Sequence, residues 1–253
     1  MTAPTPDLSA GGIWQAVLGE FRRDFWTFFA IAAPFTVLID MAMAQFGPPQ
    51  PKTVAEITPR VALIVVLLPA LIGVIAQLAV ARLTAVPDEP PRVALAVALR
   101  RLPFFLAAVL LIAWPTGIIG GMVFAIPALR WAVALLVIPG LYVAARCYPM
   151  VGAAAAESIG PAAILRRSWA LTAGRGWAIA WIMLLSILLL VGANLIAAGV
   201  GGALASVLTL AGLQPVGVFV ANLANSLLAC VFSIGSAIAA TQIYQRLRLV
   251  IKE

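Results

Sequence analysis

Histidine is absent from this 253-residue chain, and cysteine occurs only twice, at Cys147 and Cys230. Without imidazole the commonest general base and metal ligand are missing. Both cysteines lie in apolar runs, where they read as small buried hydrophobes rather than as a disulfide or a metal pair. Charge is scarce too: charged residues are 10% of the chain, against about 25% in ordinary soluble domains. The acids are scattered, so no carboxylate cluster stands ready to hold a cation for phosphodiester hydrolysis. Asp88 and Glu89 are adjacent but sit in the Pro-flanked stretch VPDEPP, which reads as a solvated turn. There is no phosphate-cradling Gly-rich loop with its lysine, no dinucleotide fingerprint and no nucleophile elbow. The expectation is a protein that is not an enzyme, with no catalytic residue, no metal and no cofactor. Residues 1–12 hold no Lys or Arg and no compact apolar run ahead of a small-residue cleavage site. The N-terminus is therefore expected to be retained rather than cut as a signal.

What the chain does have is apolar bulk. Hydrophobic residues make up 64% of it, more than a soluble core of this size can hide, so lipid must be the solvent for most of its surface. A helix needs about 20 mostly apolar residues to cross the hydrocarbon layer. Six windows qualify: approximately Phe25–Phe46, Val61–Thr84, Phe104–Pro127, Trp131–Val151, Trp177–Val200 and Val216–Tyr244. The apolar runs are continuous rather than alternating, which argues against a strand barrel. The third and fourth windows are separated by a short turn near Pro127 and Arg130. The sixth is longer than a straight span requires, which predicts tilt or a helical extension. The stretch of about Gly201–Pro215 carries no charge and is expected to lie as a loop against the outer interface.

The bases then set orientation. One set of connections holds Arg22, Arg23, Arg82, Arg92, Arg100, Arg101, Arg146, Arg166, Arg167, Arg175, Arg246, Arg248 and Lys252, whereas the other holds Lys52, Arg60 and Arg130. Under the positive-inside rule this predicts cytoplasmic termini in a bacterial inner membrane. The domain plan is a cytoplasmic segment 1–24 with an interfacial helix, a transmembrane region 25–244 and a tail 245–253. The excess of base, +7 overall, sits beside membrane spans and points to anionic lipid headgroups rather than nucleic acid.

Each odd-numbered span is announced alike, by a basic helical segment followed by bulky residues. The three read GIWQAVLGEFRRDFWTFF from Gly12, PRVALAVALRRLPFF from Pro91 and PAAILRRSWALTAGRGW from Pro161. Each even-numbered span leaves through an arginine, as AVAR at Arg82, VAAR at Arg146 and IYQR at Arg246. The pattern suggests an all-α fold of three transmembrane hairpins, each preceded by a cytoplasmic interfacial helix. At 100° per residue Leu95, Leu99 and Leu102 share a face broadly opposite Arg100 and Arg101. Ile164, Leu165, Trp169 and Leu171 likewise oppose Arg166 and Arg167, as suits helices lying in the headgroup plane. Pro91 and Pro161 suit first-turn starts, and Gly174 or Gly176 a stop.

Two groups of polar side chains merit a functional reading. Arg166, Arg167, Trp169, Arg175, Arg100 and Arg101 are candidates for gripping lipid headgroups, since guanidinium matches phosphate geometry. The alternative role of these arginines is topological anchoring. Asn194, Asn222, Asn225 and Ser226 are candidates for an intramembrane polar site, with helix packing through small polar residues as the alternative. Asp40 would be costly facing lipid. It is expected to reach the outer interface, or else to pair with Arg60 or Arg130.

The order Glu157, Gly160-Pro161, Ala163, Leu165, Arg167-Ser168-Trp169, Leu171-Thr172, Gly174 and Trp177 resembles the membrane domain attached to some bacterial glycerophosphoryl diester phosphodiesterases, which also occurs as a standalone form. The ending Ile243-Tyr244-Gln245-Arg246-Leu247-Arg248, and Arg82 followed by an acidic turn and the Arg100-Arg101 helix, are similar to the same family. The resemblance extends over residues 10–250, with its specific part at 157–177. It implies a multi-helix inner-membrane module. In fused relatives hydrolysis belongs to a soluble barrel domain for which this chain has no room, so no catalytic residue carries over. The expected role is a non-catalytic membrane protein that engages phospholipid headgroups, or a membrane or cytoplasmic protein partner, in envelope lipid handling. A transporter or channel for a small or lipid-like substrate is the competing reading.

Overall fold

Proline and glycine decide where the apolar runs bend. The computed structural model describes residues 10–48, 58–125 and 132–252, all helix, turn or short connection. Helix α1, Ala10–Ala32, carries a non-helical kink at Asp24 (φ −121°, ψ 21°), where its amphipathic start gives way to the first span. Pro34 then breaks the helix, and the span resumes as α2, Val37–Phe46. The second span opens as α3, Pro59–Val61, continues as a π-helical stretch Ala62–Leu67 and ends as α4, Leu68–Ala85. Pro69 has no N–H to give and its ring crowds the carbonyl four residues back, and the wider π turn just before it relieves that crowding.

The third span is α5, Pro91–Ala125, which runs straight on from its lead-in with Pro103 and Pro115 inside it. The fourth opens as α6, Ala132–Cys147. A break at Tyr148-Pro149 leads into a short helix α7, Met150–Ala156. Then come α8, Pro161–Leu171, and two long helices, α9, Gly176–Leu210, and α10, Gln214–Lys252. Six helical stretches are long and apolar enough to cross a membrane. The protein is an all-α, multi-pass membrane protein.

Several boundaries differ from the sequence reading, each for a local reason. The fifth span does not stop at Val200. It continues to Leu210, and only Ala211–Leu213 form the turn, with Gly212 at φ +77°. The stretch expected as a loop is helical because it is apolar and small enough for two helices to close on each other. A Cβ at Gly217 would lie 3.1 Å from the Ala205 backbone, and one at Gly201 3.8 Å from Ala221. The expected C-terminal tail is likewise the last turns of α10, an extension that the long sixth window already suggested. At 35 and 39 residues and 1.5 Å rise, α9 and α10 are about 52 and 58 Å long, well beyond a hydrocarbon core of about 30 Å. Helix α6 ends at Cys147, but the fourth apolar stretch runs on through α7 to Ala156, past the expected end at Val151. A discrete lead-in helix precedes only the fifth span. The first is divided from its span by the Asp24 kink, and the second is continuous with its own. Residues 1–9, the Pro127–Arg130 turn, the start of the fourth span at Trp131, Lys52 and Glu253 lie outside the described residues.

Helix α10 is the hub, packing on α9, α1, α4, α7, α2 and α8. The first and third hairpins pack internally through α1 on α4 and α9 on α10. Among the described residues α5 and α6 scarcely touch, and α6 leans instead on α9 and α8. Nearly all buried apolar residues belong to one half of the bundle, the half that carries most of the arginines. There Ile13, Val17 and Phe28 of α1, Ala76 and Val80 of α4, and Ile234, Ile238, Ile243 and Leu247 of α10 close a common core. Toward the opposite end the helices splay, and Leu135, Leu195, Val200 and Leu210 stand 66–89% exposed. Such surface is stable only against lipid tails.

Helix α7 was not anticipated. Its Gly152, Ala153, Ala154 and Ala155 are buried between α4 and α10. Small residues let backbones approach where no water is available to drive association.

Candidate site at the basic end of the bundle

The exit arginines are not loose anchors. Arg82 forms a bidentate pair with Glu89, Nε to Oε2 at 2.8 Å and Nη2 to Oε1 at 2.9 Å, and its Nη1 donates to the Ala155 carbonyl at 3.1 Å. Arg146 donates to the Trp169 carbonyl at 2.6 Å, to Thr172 Oγ1 at 3.2 Å and to Tyr142 Oη at 3.1 Å. Its guanidinium also lies 4.6 Å from the centre of the Trp169 ring. Arg246 donates to the Gly12 carbonyl at 3.0 Å. Each span exit thus holds a carbonyl of another helix: the end of α7, the last turn of α8 and the start of α1. The recurrence of arginine at these three places has a structural job.

The acidic turn after the second span belongs to that scheme. Asp88 adopts φ +72°, a region Asp enters more readily than most residues, and the turn brings Glu89 back onto Arg82 with its side chain only 12% exposed. Glu89 is therefore a paired group, not part of a solvated turn. The signal in sequence was an arginine seven residues ahead of a carboxylate across a proline-rich reversal. Hydrogen bonds from Arg82 hold the Glu89 carboxyl below its ordinary range, against a smaller opposing effect of burial. A carboxylate with a lowered pKa stabilises the fold above its ordinary range and ceases to do so as pH falls through the lowered value. Thermal stability in detergent is expected to fall as pH drops below the ordinary carboxylate range. Glu89→Gln is expected to be less stable at neutral pH and to flatten that acid limb, as a melt series across pH would read.

Next to this pair lies a pocket of about 430 Å³ between the end of α4, the start of α5 and the connection from α7 to α8. Arg82, Arg100, Arg101, Glu157 and Ser158 supply its polar wall, and Val97, Phe104, Ala155 and Ala156 its apolar floor. Helix α5 lines it because Ala94 and Ala98, rather than the leucine stripe, are its buried side. Leu99 stays 50% exposed. The alanines bring α5 close to α4 and α7, and that rotation sets Arg100 and Arg101 at the rim. Arg101 donates to Ser158 Oγ across the pocket mouth. Arg100 is exposed and has no hydrogen-bond or ion-pair partner among the described residues.

Of the six headgroup candidates, the structure brings Arg100 and Arg101 into this pocket and separates the rest. Arg167 pairs with Glu157 at 3.3 Å. Arg166 is exposed and reaches back to the Ala162 carbonyl at 3.4 Å. Trp169 covers Arg146, and Arg175 caps α9 after Gly174, which turns at φ +74°. On α8 Ile164 and Leu171 are buried as the periodicity required, and Ser168 joins them because its hydroxyl donates to the Arg146 carbonyl at 2.6 Å. Sequence reasoning missed Arg82 and Ser158 as pocket residues. It also missed Glu157, whose Oε1 accepts from both Arg167 and the Tyr244 hydroxyl.

The intramembrane set does not gather. The contacts of Gly201 with Ala221 and of Gly217 with Ala205 fix an antiparallel register that puts Asn194 level with Leu228. At 1.5 Å per residue, six residues separate that level from Asn222 by about 9 Å. Asn194 and Asn225 are exposed, and the Asn194 amide donates to the Leu190 carbonyl of its own helix at 2.8 Å. Ser226 is buried in α10, while Asn222 lines a lateral cleft with Met41, Gln45, Phe46 and Phe219 at the opposite end. Asp40 is half-buried on α2. No group of three or more His, Cys, Asp or Glu suited to a metal ion occurs among the described residues. No family model, curated protein or solved structure matches this chain.

Proposed function

We propose that this multi-pass membrane protein is a non-catalytic module that engages phospholipid headgroups at its basic end. The observation that carries this reading is the pocket at Arg82, Arg100 and Arg101. Arg82 is neutralised by Glu89, but Arg100 and Arg101 meet no carboxylate among the described residues, so two guanidiniums remain free to take a phosphate. Such groups bind phosphate through several parallel N–H donors, and more strongly where apolar walls exclude water. Phe104 of the apolar floor is itself 43% exposed, and Leu111, two turns along the same face of α5, is 54% exposed, so the floor is continuous with lipid-facing surface. A headgroup can sit among the arginines while its chains remain in the bilayer. The wider excess of arginine at this end favours anionic lipid around the pocket.

In this reading the basic end faces the cytoplasm of a bacterial inner membrane, with both termini there, as the positive-inside rule predicts. In the same reading the chain carries the membrane domain of the family that segment 157–177 resembles, and it serves envelope lipid handling without hydrolysing a phosphodiester itself. Transport is less well supported, because Asn194 bonds to its own helix and Asn222 faces a separate cleft at the opposite end.

The test is lipid retention by native mass spectrometry of protein extracted in mild detergent. Arg100→Ala combined with Arg101→Ala is expected to lower bound phospholipid about tenfold or more, since each charge-assisted contact contributes roughly a factor of ten. Arg166→Ala, on the outward side of α8, is expected to change it little. Unchanged retention in the double variant, with an unaltered melting temperature, would overturn the reading.

A further inference from the structure

Phosphate is not all that this pocket is equipped to recognise. Its two unneutralised guanidiniums stand on the α5 side, and a carboxylate stands on the other. Glu157 closes the connection from α7 to α8, where its backbone N–H donates to the Ala153 carbonyl at 2.9 Å. Its Oε1 is spoken for by the Tyr244 hydroxyl and by Arg167 Nε. Its Oε2 has no partner among the described residues, although the residue lines the pocket and its side chain is 20% exposed. A carboxylate in a site meant only for anions would repel them. Here it is held in place by Tyr244 from α10 and Arg167 from α8, so neither its position nor its charge is incidental.

We infer that the pocket selects a phosphate ester carrying a primary ammonium group, the chemistry of a phosphatidylethanolamine headgroup, with phosphate on Arg100 and Arg101 and ammonium on Glu157 Oε2. The inference rests on the headgroup reading above and narrows it. Arg101 donates to Ser158 Oγ, and Ser158 directly follows Glu157, so one pocket brings the guanidiniums and the carboxylate to neighbouring points of the same connection, as a headgroup whose phosphate and ammonium are joined by a short tether requires. A primary ammonium brings three N–H donors to a carboxylate oxygen. A trimethylated ammonium brings none, and a glycerol headgroup brings hydroxyls but no positive charge. A volume of about 430 Å³ lies within the range of small-ligand sites. Surrounding anionic lipid and a zwitterionic occupant are compatible, because the arginine excess of the whole end acts on the surface while Glu157 acts inside the pocket.

The test uses the full chain in nanodiscs or mixed micelles holding equal amounts of phosphatidylethanolamine, phosphatidylglycerol and phosphatidylcholine, with bound lipid read by native mass spectrometry. The wild type is expected to retain the ethanolamine lipid about tenfold over the choline lipid, the discrimination that one charge-assisted contact supplies. Glu157→Gln keeps the side-chain shape and an acceptor for Tyr244, and is expected to bring that ratio near one while total phospholipid stays bound. Arg167→Gln removes the ion pair but not the carboxylate, and is expected to keep the preference. Displacement by soluble glycerophosphoethanolamine would assign the site to the free headgroup, and resistance to it would assign the site to the membrane lipid. Equal retention of the three lipids by the wild type, or a preference unchanged in Glu157→Gln, would overturn the inference and leave phosphate engagement standing. Failure of the Arg100 and Arg101 double variant to lose lipid would overturn the parent reading instead.

Discussion

Gly152→Leu is expected to prevent the bundle from assembling, and Gly152→Ala to weaken it measurably. A Cβ at Gly152 would lie 2.8 Å from Tyr244 Cβ and 3.1 Å from Thr241 Cα. Both are fixed to the main chain of α10, so no side-chain rotation can clear the contact. Overpacking a closed core costs about 1–3 kcal/mol for small additions, and the helix-propensity gain from glycine to alanine returns only about 0.8–1.0 kcal/mol. The alanine variant should therefore melt lower in detergent, and the leucine variant should fail to give a monodisperse species by size exclusion. The contact also matters for the pocket. Helix α7 ends at Ala156, one residue before Glu157, so pushing α7 away from α10 separates the carboxylate from Tyr244. Gly235→Ala on α10 is the control, because a Cβ there meets nothing within 4 Å. An alanine variant at 152 as stable as wild type would mean that α7 is not seated as described.

Arg146→Met carries the second largest expected effect, a loss of about 2–4 kcal/mol. The substitution keeps a long apolar stem but removes the donors to the Trp169 carbonyl, Thr172 and Tyr142, and the cation beneath the Trp169 ring. Hydrogen bonds from charged groups contribute about 1.5–3 kcal/mol, and a partly covered cation–π contact about 0.5–2 kcal/mol. These contributions share one side chain and do not add fully. Arg146→Lys is expected to recover only part of the loss, since a point charge cannot serve three acceptors that are spread around a planar fork. Equilibrium unfolding in mixed micelles reads both values. The ring of Trp169 is 39% exposed and should report release of α8 by a shift in its fluorescence. Equal stability of Arg146→Met and wild type would return this arginine to a purely topological role.

The fold was legible in the chain to an uneven degree, and the reasons are physical. Spans are legible because lipid punishes any unpaired backbone group, so a continuous apolar run of sufficient length has little choice but helix. The same rule explains the one stretch misread as a loop. Gly201–Leu210 lacks charge and opens on two glycines, which sequence reading takes as a turn and a membrane takes as permission for α9 and α10 to run on together. Helix α7 was missed because its identity lies in how closely it approaches α10, and alanine and glycine carry no periodic signal. The sides of the α8 helix were mostly legible, since Ile164 and Leu171 are buried as expected, but the burial of Ser168 depended on a carbonyl 22 residues earlier.

The candidate site was legible by residue type and not by grouping. Arginines beside spans are visible at once, yet five of them looked equivalent. Whether an arginine is free or spent depends on the carbonyl or carboxylate that another helix brings to it. Glu89 for Arg82, Trp169 for Arg146 and Gly12 for Arg246 lie 7, 23 and 234 residues from their partners. By itself, then, the sequence determined an all-helical protein of six spans with its arginines concentrated toward one end. Lipid exerts its constraint residue by residue, and that constraint can be read locally. Only the tertiary structure decided which of those arginines are consumed in holding helices together and which two remain open beside Glu157. Pairing is a matter of which surfaces meet, and it is settled by small residues such as Ala94, Ala98 and Gly152 that let helices close.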